Sequence, residues 1–278
     1  MRGTRNFLWG ALSVAFAVLV TLSFVQGTVW AATPSAGFLK RQGPAPPGAN
    51  EPGCHPSPRH PEPVVLVPGT FESMAQNWAK LSPELAARGY CVYSLNYGVT
   101  AAGYSTGPIQ QSASELRSFV NHVLRLTGAR KVDIVGHSQG GMMPRYYIKF
   151  LGGAKKVDDL VALTPSNHGT KNPGAFTTGL LGCVACRQQM WGSPFLRRLN
   201  SGDETPGGVS YTVITTRYDD VVVPYTSAFL KGPASRVSNI TIQDYYPLDT
   251  SDHLLIPYDE RAYTFIFDAL SHPGPARP

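Results

Sequence analysis

The sequence predicts an α/β architecture: a mainly parallel central sheet with helices on both faces. Three observations lead there. Short β-branched apolar runs, Val64-Val65-Leu66-Val67 and Lys131 to Val135 among them, recur along the chain and read as buried strands. Stretches of helical period separate them. In Ile109 to Thr127 the apolar residues Leu116, Phe119, Val120, Val123 and Leu124 share one face, and Gly128 supplies the stop. Finally, a hydrophobic content of 42% without an internal repeat is enough for one large core.

Residues 1–31 have the pattern of a secretory signal: basic Arg2 and Arg5, an apolar run from Phe7 to Val25, and small residues around Val29-Trp30-Ala31. The run is long enough that an uncleaved membrane anchor is the competing reading. Without Arg2 and Arg5 the net charge falls from +6 to +4, spread along the chain with no Lys/Arg-rich patch. Nucleic acid is therefore not an expected partner. Residues 32–63 are rich in Pro and Gly, lack apolar periodicity, and predict an extended surface leader. A catalytic domain is expected over 64–278.

Each element follows in order. Val64 to Val67 is a strand ending at Pro68-Gly69-Thr70. Asn77 to Arg88 reads as a helix closed by Gly89, and Cys91 to Leu95 as the next strand. The helix from Ile109 leads to the strand Lys131 to Val135, then a helix from Met142 to Leu151. Val157 to Leu163, Val209 to Thr215 and Ile240 to Tyr245 complete the strands, and Tyr258 to Leu270 is a terminal helix. An insertion of about 167–208 interrupts the alternation. Its apolar Phe176, Leu180, Leu181, Val184, Trp191, Phe195 and Leu196 suit either a lid or groove wall, or a loop packed on the core. Exported chains favour disulfides, and four cysteines allow three connectivities. Cys183 and Cys186 sit close together in a loop, while Cys54 and Cys91 flank a predicted strand, so Cys54–Cys91 and Cys183–Cys186 are the expected pairs. Cys183-x-x-Cys186 has no second pair or nearby His to complete a metal site.

The chemistry centres on Gly136-His137-Ser138-Gln139-Gly140, a G-x-S-x-G between strand and helix. That context is the nucleophile elbow of the α/β-hydrolase fold, with Ser138 Oγ raised above the sheet. In this fold the acid and the base follow the serine, in that order. His55, His60 and His122 precede Ser138, His137 adjoins it with its side chain directed away from Oγ, and His272 lies in a Pro-rich tail. His168 would need an acid before it and reads as a structural or pocket residue. His253, between the last strand and the last helix, is the base. Asp219 or Asp220, after the strand ending at Thr215, is the acid; side chains of an extended pair point apart, so only one can reach. Asp252 adjoins His253 and reads as a cap or surface group. The oxyanion hole is expected from the N–H of Gln139 and from the first strand's loop, where Thr70 offers an N–H and a hydroxyl.

Val67-Pro68-Gly69-Thr70, Ser138-Gln139-Gly140-Gly141, Val157-Asp158-Asp159-Leu160 and Asp219-Asp220-Val221-Val222-Val223-Pro224 together resemble the class 2 lipases. These are secreted actinobacterial lipases and esterases related to the fungal lipase B type, and the resemblance covers Val64 to Leu270. It implies that the acid opening D-x-V-V-x-P is Asp219, that the oxyanion donors are Thr70 and Gln139, and that a leader cysteine pairs with one past the first helix, supporting Cys54–Cys91. Pro144 inside the helix after the elbow predicts a kink, and Phe71 predicts a narrower acyl pocket.

The resulting expectation is a secreted, monomeric serine carboxylester hydrolase with a Ser138–His253–Asp219 triad and an acyl-enzyme. It would act on ester or lipid substrates, with a lipid–water interface as one setting, and require no metal or cofactor. The alternatives are an acyltransferase or polyester esterase with the same triad, and a catalytically silent hydrolase fold that binds rather than reacts.

Overall fold

The computed structural model describes Met1 and residues 34–278. Apart from Met1, the predicted signal 1–31 lies outside the described residues, as does the side chain of Phe176. Element order is α1 (Pro34–Lys40), β1 (Val64–Val67), α2 (Met74–Asn77), α3 (Leu81–Ala87), β2 (Val92–Ser94), α4 (Ile109–Thr127), β3 (Val132–His137), α5 (Gln139–Phe150), β4 (Val157–Leu163), α6 (Pro173–Leu180), α7 (Val184–Gln188), α8 (Pro194–Asn200), β5 (Ser210–Thr215), β6 (Val237–Thr241), α9 (Ile242–Tyr245) and α10 (Glu260–Ala269). The six strands form one parallel sheet in the order β2-β1-β3-β4-β5-β6.

Alternation of side chains along each strand divides the core in two. Val65 and Val67 join a cluster with residues of α4, α5, α7 and α8 on one face, whereas Val64 and Leu66 pack with α3 and α10 on the other. Both faces are thus covered, which is why β1 is apolar at every position. The sheet edges are covered as well. Asn50 of the leader donates its backbone N–H to Val92 O, and its side chain bonds both the N–H and the carbonyl of Ser94, sealing β2. A Cys54–Cys91 disulfide ties the leader to that edge. At the other edge the Asn239 amide bonds the N–H and carbonyl of Leu230.

Several boundaries differ from the sequence expectation. The helix expected over 77–88 is two, because Pro83 would remove a hydrogen bond from its interior but fits the first turn of α3, whose amides have no intrahelical acceptor. The strand expected over 240–245 ends at Thr241 and turns into α9. There Gln243 is held by Arg217 N–H, Thr216 Oγ1 and the Asp249 carbonyl, contacts that an extended chain would lose. The terminal helix starts at Glu260, capped by Asp259. The leader contains α1, and the insertion is built of α6, α7 and α8. Asn172 and Ser193 accept N–H bonds at the starts of α6 and α8, and Cys183, bonded to Cys186, begins α7. Helix α5 runs without interruption through Pro144.

Candidate active site

The turn from β3 into α5 shows what its two glycines do. A Cβ on Gly136 would sit 2.0 Å from Gly140 O, and one on Gly140 would sit 2.1 Å from Val67 O. Only residues without a Cβ let α5 start so close to β1 and β3. Ser138 is held between them at φ 54° and ψ −120°, a backbone region that non-glycine residues rarely occupy. Its N–H bonds Leu163 O at the end of β4, fixing the strained turn to the sheet. Gln139 is the first residue of α5, so its N–H has no intrahelical acceptor.

The structure brings Ser138, His253 and Thr70 to one cavity of about 290 Å³, whose wall is mostly apolar and includes Phe71, Thr178, Val221 and Leu254. Behind His253, its Nδ1 lies 2.9 Å from Asp219 Oδ1, and both side chains are buried. The ring N–H points off the ideal line; catalytic hydrogen bonds often tighten only when substrate binds. The same Oδ1 accepts the N–H groups of Val221 and Val222, which hold the carboxylate in place. Asp220 is exposed and offers its backbone carbonyl to Asn172. Asp252 caps its own turn through the Leu254 and Leu255 N–H groups. His168 bonds the Ser227 carbonyl and Glu204 away from this cavity. The Thr216 hydroxyl, donating to Ser251 O, joins the Asp219 loop to the His253 loop.

Three contacts escaped the sequence reading. Gln189, from just after α7, donates to Thr70 Oγ1 and Gln139 Oε1, and accepts from Ser166. The Thr70 hydroxyl donates to Gln139 Oε1, so its proton is engaged by that side chain. His137 reaches Glu72 and the backbone of His253. Gln189 lies 119 residues from Thr70 and Glu72 lies 65 from His137; no periodicity links positions so far apart.

Among the described residues, one group of three carboxylates converges: Asp133, Asp158 and Asp159, with oxygens within 4.8 Å of one another. They sit at a register shift between β3 and β4, near the strand ends opposite Ser138. The Lys131 ammonium, 2.6 Å from Asp158, supplies positive charge there. Burial raises Asp133 well above the usual carboxylate range and Asp159 to about 8, with neighbouring carboxylates adding to both.

The family described as lipase (class 2) matches residues 61–253, from just before β1 to His253. A triacylglycerol lipase of Pseudarthrobacter phenanthrenivorans is 35% identical over 91 residues, 30% of this chain and 27% of that protein. One from Vibrio cholerae is 29% identical over 171 residues, 60% of this chain and 46% of that one. The chain thus spans less than half the length of these curated relatives. Among solved structures, Aspergillus fumigatus lipase B superposes with a TM-score of 0.67 at 26% identity, covering 78% of this chain and 54% of the other. The mature Bacillus licheniformis lipase BlEst2, at 14% identity and a TM-score of 0.60, covers 78% and 95% and shares the fold. A family match across the whole segment that carries the Gly136–Gly140 turn, the Asp219 loop and His253 places this chain in the class 2 lipase family.

Proposed function

We propose that the chain is a secreted carboxylester hydrolase, a triacylglycerol lipase or esterase, working through an acyl-enzyme. His253 takes the proton of Ser138 Oγ as that oxygen attacks the ester carbonyl, and Asp219 stabilises the imidazolium. The N–H groups of Gln139 and Thr70 hold the oxyanion, aided by the positive end of α5. His253 then protonates the leaving alkoxide, and water activated by the same imidazole releases the acid and restores Ser138. The observation that carries this reading is one cavity lined by a strained serine and a histidine, with a buried carboxylate 2.9 Å behind the histidine. An apolar rim supports a lipid-like ester: Phe71, Val221 and Leu254 are exposed at the cavity. Two disulfides support export to an oxidising compartment. The domain division into a signal, a leader of 32–63 and a catalytic domain of 64–278, with 167–208 as its substrate-facing insertion, belongs to the same proposal.

The test is hydrolysis of p-nitrophenyl esters from C2 to C16 by the parent and Ser138→Ala. Activity abolished in the variant is the expected result. Equal activity in both proteins would overturn the triad, and transfer to an added alcohol outpacing hydrolysis would favour the acyltransferase alternative.

A further inference from the structure

A second carboxylate–histidine pair lies against the candidate triad and takes no part in the steps above. His137, on the last position of β3, is 1% exposed. Its Nε2 lies 2.9 Å from the backbone carbonyl of His253. A carbonyl only accepts, so Nε2 carries a hydrogen. Its Nδ1 lies 2.8 Å from Glu72 Oε2. Two lone pairs facing each other at that distance repel, so a proton lies on that line too. The Asn77 amide is oriented by the Gly69 N–H, which donates to its Oδ1 at 2.8 Å, leaving Nδ2 at a longer 3.3 Å from Nδ1. Gly69 also explains how the carboxylate reaches the ring. A Cβ there would sit 2.6 Å from Glu72 Oε2 and 3.0 Å from His137 Nδ1. The rings of His137 and His253 are 5.0 Å apart between centroids. Among the described residues, burial and, to a lesser degree, the Glu72 charge raise the Tyr97 and Tyr258 hydroxyls.

We infer that Glu72 and His137 share one proton and act as positioning residues, holding the His253 loop by its backbone carbonyl. The pair joins three segments that the reaction needs in register: the loop after β1, which carries Thr70 and Glu72, the end of β3 next to Ser138, and the loop of His253. His137 donates from Nε2 and Glu72 keeps the ring protonated, so the hydrogen bond to His253 O is strengthened by charge. The kinetic consequence rests on the proposed function; the shared proton does not. Glu72 and His137 also line the cavity, but they are no part of its apolar wall; weakening the pair displaces the base, so turnover falls while KM holds.

The test uses the chain labelled with ¹⁵N-histidine. The imidazole absent from His137→Phe identifies His137, and its displacement in Glu72→Gln does so independently should the Phe variant fail to fold. At pH 7 the parent is expected to show both His137 nitrogens protonated, and Glu72→Gln to return the ring to one N–H. With p-nitrophenyl butyrate, Glu72→Gln is expected to lower kcat about tenfold, the scale of a modest misplacement of a catalytic group, with KM within twofold. A bare Nδ1 in the parent overturns the inference, as does an unchanged kcat in Glu72→Gln. If Ser138→Ala keeps parental activity, the hydrolase reading falls, while the nitrogen spectrum still decides the proton.

Discussion

Ser138 occupies a backbone conformation that few non-glycine residues tolerate, and Gly136 and Gly140 on either side make room for it. Such strain persists only where surrounding structure enforces it. Here the Leu163 carbonyl and the start of α5 do so, presenting Oγ to the cavity. Replacing Ser138 by Ala is expected to lower kcat on the order of 10⁶-fold, the scale for loss of a triad nucleophile. A drop of less than tenfold in a steady-state ester assay would exclude the role. Asp219→Asn keeps the size of the side chain, but its amide presents the wrong group to His253 Nδ1. The expected loss is about 10⁴-fold in kcat, against little effect for Asp220→Asn, whose side chain is exposed.

At the level of elements, the insertion contains two differently held parts. Helix α8 is anchored: Lys149 Nζ donates to the carbonyls of Leu199, Ser201 and Asp203, and the buried Arg145 bonds Asn167, Asn200 and the Glu204 carbonyl. By contrast the end of α6 leaves Leu180 and Leu181 exposed at 66% and 76%. Leu180→Ser with Leu181→Ser is expected to lower the ratio of C16 to C4 ester hydrolysis about tenfold, the scale of partial burial of two leucines, with an unchanged melting temperature. A constant ratio would assign those leucines no part in substrate contact. The Cys54–Cys91 link holds the leader on the edge of β2 across 37 residues. Replacing both cysteines by Ser is expected to cost about 2–5 kcal/mol, read as a lower melting temperature under otherwise equal conditions.

For the molecule as a whole, the buried acids at the strand ends opposite Ser138 are expected to give stability a pH dependence. Asp159 is raised from 3.8 to about 8, mainly by burial. Its folded form favours the protonated acid, so its contribution to stability is full below pH 3.8 and is lost as the pH rises through about 8. Asn in its place stays neutral. Asp159→Asn is therefore expected to match the parent near pH 4 and to melt higher at pH 8.5, by about 2–4 °C per kcal/mol relieved. Melting curves that remain parallel from pH 4 to 8.5 would show that this burial carries no such cost.

The sequence by itself determined what depends on local pattern. Uniformly apolar β-branched runs marked the buried strands, and G-x-S-x-G between strand and helix marked the elbow. Chain order then left His253 as the histidine in a suitable loop. Pro83 is a local signal too, and it places the start of α3 that hydrophobic period alone misplaced. Choosing between Asp219 and Asp220 took a family motif, because adjacent carboxylates look alike until the backbone turns one toward His253. Only the tertiary structure brought Gln189 to Thr70 and Glu72 to His137. These contacts join residues far apart in sequence through single hydrogen bonds, and neither helical nor strand periodicity reaches across such distances. The same holds for α9, where three partners of Gln243 outweigh the β-propensity of Ile240 and Ile242. Periodicity reports which face of an element is buried; which polar groups meet there is decided when the loops close over the ends of the strands.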